Sequence, residues 1–547
     1  MRAIDFYSGV GGWSLGLRFA GIEVTDSFER WTPANSTNLE NNRHRVHAVD
    51  IRRLDMAALP SAVDIVVGSP PCTQFSLSNR GGSGDFQDGL EDIRAFLRVV
   101  DQLRPKCWVM ENVPRALGII LREFEPDGSL SDFSHLEVSG RVFKMEEFGL
   151  PQRRHRCLIG CLDFGLLQSY AGLLPAKSLG DVLSAYSSDQ VVDPIYGHPV
   201  TRGGLFDHDP DDFLNSEEQR INRSLKVHHP VYNRMAFPDR EERPVRTLTA
   251  TCTRVSRESI VVADPLGIRR LTVRERASLQ GFPSAFQFYG SSHGQKLKMI
   301  GNALPPLFAY FVGCAARGLP AAEVLPLTEA SADWQPPARK PVRTITDRPA
   351  FKFRPDRPFR FAIPSLHLKS GVRFELTNRA DTDSKWQVEF KFGSSKSIQS
   401  IKLDADLLEM LGCNLGPVQH RKVDSHIALL RAFVQSIDCD SMQRVWSHRG
   451  PGTTHPFLLL DKLSELGEAL KDDLDTCDQH MALQRTLEGR IGAEWDQVPG
   501  RGKLLRNSAT VIAGMAIGAA LNVELWQRSA TTPELPARTG LIAARIG

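Results

Sequence analysis

The sequence predicts an α/β fold built on a doubly wound parallel sheet, and three observations predict it. Over residues 1–165, short apolar runs alternate with amphipathic stretches. Glycines follow the first run directly, as Ser8-Gly9-Val10-Gly11-Gly12. Charged residues gather just past the ends of later runs, where open α/β sheets take their ligands. A loop-rich insertion and a C-terminal α+β region complete the expected architecture.

The elements follow in order. Residues 3–7 form the first strand-like run, and 63–67, 107–110 and 156–160 form three more. Between the second and third, apolar residues at 93, 96, 97, 100 and 103 have helical spacing. From 166 to 265 the alternation weakens into polar, turn-rich sequence, read as a separate unit. Amphipathic segments return at 272–279 and 297–311, so residues 266–320 rejoin the first part. Residues 321–360 are rich in proline and, from Arg339 onward, strongly basic, which predicts an extended linker or a phosphate-contacting strap. Residues 361–403 are strand-like and the remainder is mostly helical, an accessory domain spanning 361–547.

Composition narrows the function classes. With 41% hydrophobic and 24% charged residues, the 547-residue chain is neither fibrous nor wholly disordered. Its longest apolar stretch, 509–523, is shorter than the ~18 residues of a membrane span and predicts a buried helix. The N-terminus meets an acid at Asp5, so no secretory signal and no membrane association are expected. Nine scattered cysteines lack zinc spacing, which predicts reduced thiols, no metal and a cytoplasmic location. The net charge is +5 over residues 331–547 and −2 over 1–330.

The chemistry-bearing residues lie after the strand-like runs. The glycine loop lets a ligand approach the backbone and a helix N-terminus. Glu29 and Asp50 stand where second and third strands should end, placed for ribose hydroxyls and an adenine amine. Cys72 follows Pro70-Pro71, rigidly held outside any regular helix, as suits a nucleophilic thiolate. Glu111-Asn112-Val113 ends the next strand, and Gln152-Arg153-Arg154-His155-Arg156 supplies a cationic cluster.

These segments resemble the cytosine carbon-5 methyltransferase family in six motifs, in the family's order, over about residues 1–315. The glycine loop, Pro-Pro-Cys, Glu-Asn-Val and Gln-Arg-Arg segments carry the resemblance. So do residues 270–275 with Gln280-Gly281-Phe282-Pro283, and Gly301-Asn302-Ala303-Leu304-Pro305-Pro306. The resemblance implies a Rossmann-like domain that uses S-adenosylmethionine to methylate a cytosine flipped out of duplex DNA. Cys72 would add to carbon 6, Glu111 would hold or protonate ring nitrogen 3, and Arg154 and Arg156 would steady the base and the nucleophile loop. Tyr7, Ser8, Gly9, Gly11, Gly12, Glu29, Asp50, Ile51, Pro70, Asn302 and Ala303 would form the cofactor site. It further implies a place in a restriction–modification system with a separate cognate endonuclease. The unit 166–265 stands where the family keeps target recognition, with a Thr247-Leu248 element and Arg254 and Arg257 as contacts to bases or phosphates.

Ser69-Pro70-Pro71-Cys72 and Tyr7-Ser8-Gly9-Val10-Gly11-Gly12 are similar to the branch that methylates transfer RNA, whereas the recognition unit points to DNA. Residues 87–92 depart from the family's loop-to-helix pattern and receive no role. In the C-terminal region, Glu389-x-Lys391 with Asp381 and Asp383 upstream matches a magnesium nuclease motif, the basis of an alternative bifunctional methyltransferase–endonuclease.

Overall fold

The computed structural model describes residues 1–71, 86–188, 190–201, 205–210, 212–228, 235–368, 371–379, 386–394, 397–474 and 479–531. Cys72, Asp381 and Asp383 lie outside the described residues. The chain forms two compact units, one of residues 1–219 and 237–349, the other of residues 220–236 and 350–547.

The first unit is built on a seven-stranded sheet. Its strands are β1 Arg2–Phe6, β2 Glu23–Glu29, β3 Arg45–Ala48, β4 Ile65–Gly68, β5 Cys107–Asn112, β6 Ser139–Lys144 and, after the two-residue β7 Gln152–Arg153, β8 His155–Cys161. Their order is β3-β2-β1-β4-β5-β8-β6. The first five are parallel, but β8 runs antiparallel to β5 and β6 antiparallel to β8. The sheet is therefore mixed, not the all-parallel sheet the apolar runs suggested, because an apolar run carries no strand direction. Helices α1 Gly12–Phe19, α2 Thr32–Asn42 and α3 Phe86–Leu103 flank it. Two apolar clusters form the core, one centred on Phe6, Phe28, Phe96 and Trp108 and the other on Phe148, Phe308 and Phe311. The segment expected as one amphipathic element at 297–311 is two helices, His293–Asn302 and Pro306–Ala316, separated at Ala303–Pro305.

Of residues 166–265, all but 220–236 belong to the first unit. The predicted linker is also divided, and residues up to Pro349 lie on the first unit. Trp334 Nε1 donates to Asn41 O (3.1 Å), Lys296 Nζ to Val342 O (2.9 Å), and Arg270 pairs with Asp347 (3.0 Å). Basic, proline-rich sequence reads as solvated, yet its backbone carbonyls and Asp347 here satisfy cations of the first unit.

The second unit has a four-stranded antiparallel sheet, Arg360–Ala362, Arg373–Thr377, Gln387–Ser394 and Ser397–Ile401, followed by helices. Its apolar face stacks Phe374 on Phe390 at 4.4 Å and packs on the apolar helix Ser508–Thr531. That helix is long and apolar enough to cross a membrane, but its apolar window is 78% buried inside the fold, as a core helix should be.

Candidate active site

The carboxyl ends of β1 to β5 bring the predicted residues together. After β1, Tyr7 and Gly9 take left-handed backbone conformations (φ 52° each) and turn the chain into α1. Gly9 N donates to Glu29 Oε2 at the end of β2 (3.1 Å), and Trp31 N donates to Glu29 Oε1 (2.8 Å). Two backbone amides thus aim the carboxylate, while its remaining lone pairs can accept from a ligand. Asp50, after β3, caps a short helical turn by accepting from Arg52 N at 3.1 Å, and Ile51 beside it is buried in the core.

The glycines divide by role. Among the described residues, a Cβ on Gly9 would meet nothing within 4 Å, so they leave open space beside this turn. A Cβ on Gly11 would come within 2.1 Å of Asn38 Oδ1, and one on Gly12 within 2.1 Å of Leu304 O. Gly11 and Gly12 are required by protein neighbours, whereas Gly9 faces space a ligand can use. Open space at Gly9 and the oriented Glu29 carboxylate fit an adenosyl cofactor. Burial, then the Asp92 carboxylate, pushes the Tyr7 phenol well up, so it remains a donor.

α2 braces this loop with asparagines that the sequence did not single out. Asn35 Nδ2 donates to Glu29 O (2.8 Å), Asn38 Nδ2 to Ser8 Oγ (3.3 Å) and Asn42 Nδ2 to Gly11 O (3.2 Å). A polar helix reads as solvated in sequence; here these polar positions face the loop. Beneath it runs a buried chain, Asp5–Ser14–Ser27–His44, with oxygen–oxygen and oxygen–nitrogen separations of 2.7, 3.2 and 2.5 Å. Burial pushes the Asp5 carboxyl up to about 7 and the His44 imidazole down to about 4.

On the far side, Trp13 Nε1 donates to Ser69 Oγ (3.0 Å) and Asn112 Nδ2 to Pro70 O (3.4 Å), fixing the chain just before Cys72. Glu111, at the tip of β5, is ion-paired with Arg156 Nε at 2.8 Å, with both side chains largely buried. Leu158 is the β8 residue opposite Glu111, so antiparallel β8 delivers Arg156 to its side. Neighbouring Cys157 is no rival nucleophile: burial pushes its thiol up to about 12.

Arg154's buried guanidinium donates to Gly301 O (3.4 Å) and Ala303 O (3.1 Å), so it braces the returning segment. Residue 154 falls in the break between β7 and β8, which interrupts the alternation that would have paired it with Arg156. Ala303 O also accepts from Gln280 Nε2 at 2.6 Å, and Ala303 N is bonded to Ile300 O. The Ala303 backbone is held by protein partners. Asn302 is exposed at its helix end. Gln152 joins these motifs: it accepts from Leu248 N (2.8 Å) and donates to Gln280 Oε1 (2.7 Å). The ordered motifs therefore meet through a buried glutamine relay.

Arg254, expected at a base or phosphate, is instead buried against Glu218 in a two-point ion pair (2.7 and 2.8 Å), while Arg257 is half-buried. Of the magnesium motif, Glu389 and Lys391 are described, and both are ion-paired. Lys391 Nζ contacts Glu389 (2.5 Å) and Glu375 (3.6 Å), and Glu375 also pairs with Arg360 (2.8 Å) and Arg373 (2.9 Å). Among the described residues no group of three or more His, Cys, Asp or Glu could hold a metal.

The model of the C-5 cytosine-specific DNA methylase family matches residues 1–316. Type II methyltransferase M.HindV of Haemophilus influenzae is 30% identical over 332 residues, covering 58% of this chain and 96% of the relative. Type II methyltransferase M.HgiDI of Herpetosiphon aurantiacus is 27% identical over 326 residues, covering 58% of this chain and 94% of the relative.

Proposed function

The chain belongs to the C-5 cytosine-specific DNA methylase family, and from that membership we propose that it methylates carbon 5 of a cytosine in duplex DNA through a covalent adduct with Cys72. The observation that carries this reading is the Glu111–Arg156 pair at the tip of β5, one strand from the Pro70 loop that leads into Cys72.

The base must leave the duplex to be reached. The Cys72 thiolate forms a bond to carbon 6, which pushes electron density to carbon 5. Glu111 holds or protonates nitrogen 3 and so offsets the charge that addition places on the ring. Arg156 keeps the Glu111 carboxylate oriented. S-adenosylmethionine, when bound, supplies the methyl group that carbon 5 takes. Loss of the carbon 5 proton then breaks the bond between sulfur and carbon 6 and frees Cys72. Tyr7, Gly9, Glu29 and Asp50 hold the cofactor, with Tyr7 on the adenine, Glu29 on the ribose and Asp50 on the adenine amine. Arg154 acts from behind by fixing residues 301–303. The Type II methyltransferase relatives support a place in a restriction–modification system, and a separate endonuclease and a cytoplasmic location are part of the same proposal.

The test is methyl transfer from labelled S-adenosylmethionine to duplex DNA and to bulk transfer RNA in parallel, with Cys72→Ser as control. Label on carbon 5 of DNA cytosine, lost in the variant, is expected. Label on RNA alone would mean that the Ser-Pro-Pro-Cys and Tyr-Ser-Gly loops were the better guide to the polymer.

A further inference from the structure

Residues 87–92, which the family pattern left without a role, lie at the start of α3 and carry one side of a charged network. Arg52, just past Asp50, forms a two-point pair with Asp92: Nε to Oδ1 at 2.8 Å and Nη2 to Oδ2 at 2.7 Å. It also reaches Asp88, with Nη1 to Oδ1 at 2.8 Å and Nη2 to the Asp88 carbonyl at 2.6 Å. On the other side, Tyr7 Oη donates to Asp92, 3.0 Å from its carbonyl and 3.1 Å from Oδ1. Asp92 therefore ties the turn after β1, through Tyr7, and the turn after β3, through Arg52, to the same helix.

Two features give this network work to do. Tyr7 is a bulky residue at φ 52°, a backbone conformation that persists only where surroundings enforce it. Its phenol-to-Asp92 bond is such an enforcement, and Asp92 is itself held by a fork-shaped guanidinium that a lysine could not reproduce. The backbone amide of Arg52 donates to Asp50 Oδ1, and the Arg52 side chain, by pairing with Asp88 and Asp92, fixes where that amide stands.

We propose that Arg52 and Asp92 are positioning residues for the adenosyl group, holding Tyr7 and Asp50 in their binding arrangement before the cofactor arrives. The inference rests on the cofactor reading above and adds a support that acts from behind the site. A protein whose binding-competent state is only partly populated binds more weakly by that fraction, while turnover at saturation is untouched.

The test is calorimetric binding of S-adenosylhomocysteine and of 5′-methylthioadenosine, which keeps only the adenosyl end, to the full chain. Arg52→Ala should weaken both ligands by the same factor, about 10-fold, and Tyr7→Phe by about 3-fold. Arg52→Lys should fall between Arg52→Ala and the unmodified protein. The double variant Tyr7→Phe/Arg52→Ala should bind little worse than Arg52→Ala alone, because both changes break one chain of contacts. In Arg52→Ala, kcat at saturating cofactor should be unchanged. Unchanged affinity in Arg52→Ala and Arg52→Lys, with only a lowered Tm, would overturn the proposal. So would loss of S-adenosylhomocysteine affinity with 5′-methylthioadenosine binding intact. Failure of the unmodified protein to bind either ligand would overturn the cofactor reading itself, and this inference with it.

Discussion

The strand ends of the first unit and the polar face of the second unit's sheet both collect charge, and they dispose of it differently. Glu29 is aimed by two backbone amides, which orient a carboxylate without neutralising it. Glu375 is surrounded by Arg360, Arg373 and Lys391; burial raises its carboxyl, and these three cations more than offset that and hold it below its ordinary value. The first arrangement can still accept from a ligand; the second is closed on itself. The difference teaches that acid-x-lysine letters mark a site only when their charges are left unspent. Glu111 lies between these cases: one arginine holds it, and a base nitrogen can still compete for its second oxygen.

The comparison can be broken most sharply at Glu111. Glu111→Gln should keep the fold and lower kcat for methyl transfer by about 10²- to 10³-fold, the scale of losing one stabiliser of developing charge. Rapid-quench turnover at saturating cofactor and DNA checks this. A loss appearing only in KM would put Glu111 among binding groups.

The next largest effect falls on the second unit. Glu375→Gln removes the charge that offsets buried Arg373 and should cost about 3 kcal/mol in denaturant unfolding of the full chain. No DNA cleavage should be seen with magnesium, in the unmodified protein or in Lys391→Met. Magnesium-dependent cleavage lost in Lys391→Met would reopen the nuclease reading of that sheet.

Legibility in the sequence followed the same divide. Glu29 and Glu111 were picked out because each was expected at a strand end, where such sheets bind, and they stand at the ends of β2 and β5. Arg154 and Arg156 looked equivalent because sequence does not show the break at 154 that turns one guanidinium toward residues 301 and 303. The asparagines of α2 were missed because a helix with almost no apolar face resembles a solvated one. The antiparallel direction of β8 and the packing of residues up to 349 on the first unit are tertiary facts that no local pattern encodes. The basic stretch was read from composition alone, which gives charge but not the surface it covers.

A smaller effect tests the floor of the cofactor loop. The Asp5 carboxyl is raised from 3.8 to about 7, so between those values the folded protein keeps a proton that the unfolded chain has lost. Folding stability contributed by Asp5 is therefore full below about pH 4, falls as pH rises to about 7, and is flat above. Asp5→Asn mimics the protonated form and should flatten this decline. The variant should gain about 2 kcal/mol on the unmodified protein between pH 5 and pH 8. His44, lowered to about 4, works in the opposite direction up to its ordinary value and is common to both proteins. Parallel denaturation curves at the two pH values check the difference, and an identical pH slope in the two proteins would remove Asp5 as its source.

The smallest effect is at Glu29. Glu29→Gln keeps an acceptor but loses the charge, and should weaken S-adenosylhomocysteine by about 5-fold in calorimetry. An unchanged affinity would mean that its two amide bonds serve only the loop.

The central claim is that the first unit attacks cytosine with Cys72 under the guidance of Glu111. Duplex DNA carrying 5-fluorocytosine tests it most directly, because fluorine cannot leave as the carbon 5 proton does and the adduct is trapped. Incubation with S-adenosylmethionine should give a denaturation-resistant protein–DNA species. Peptide mass mapping should place the link at Cys72, and Cys72→Ser should give none. An adduct on another residue, or methylated cytosine formed on ordinary DNA by Cys72→Ser, would contradict the account.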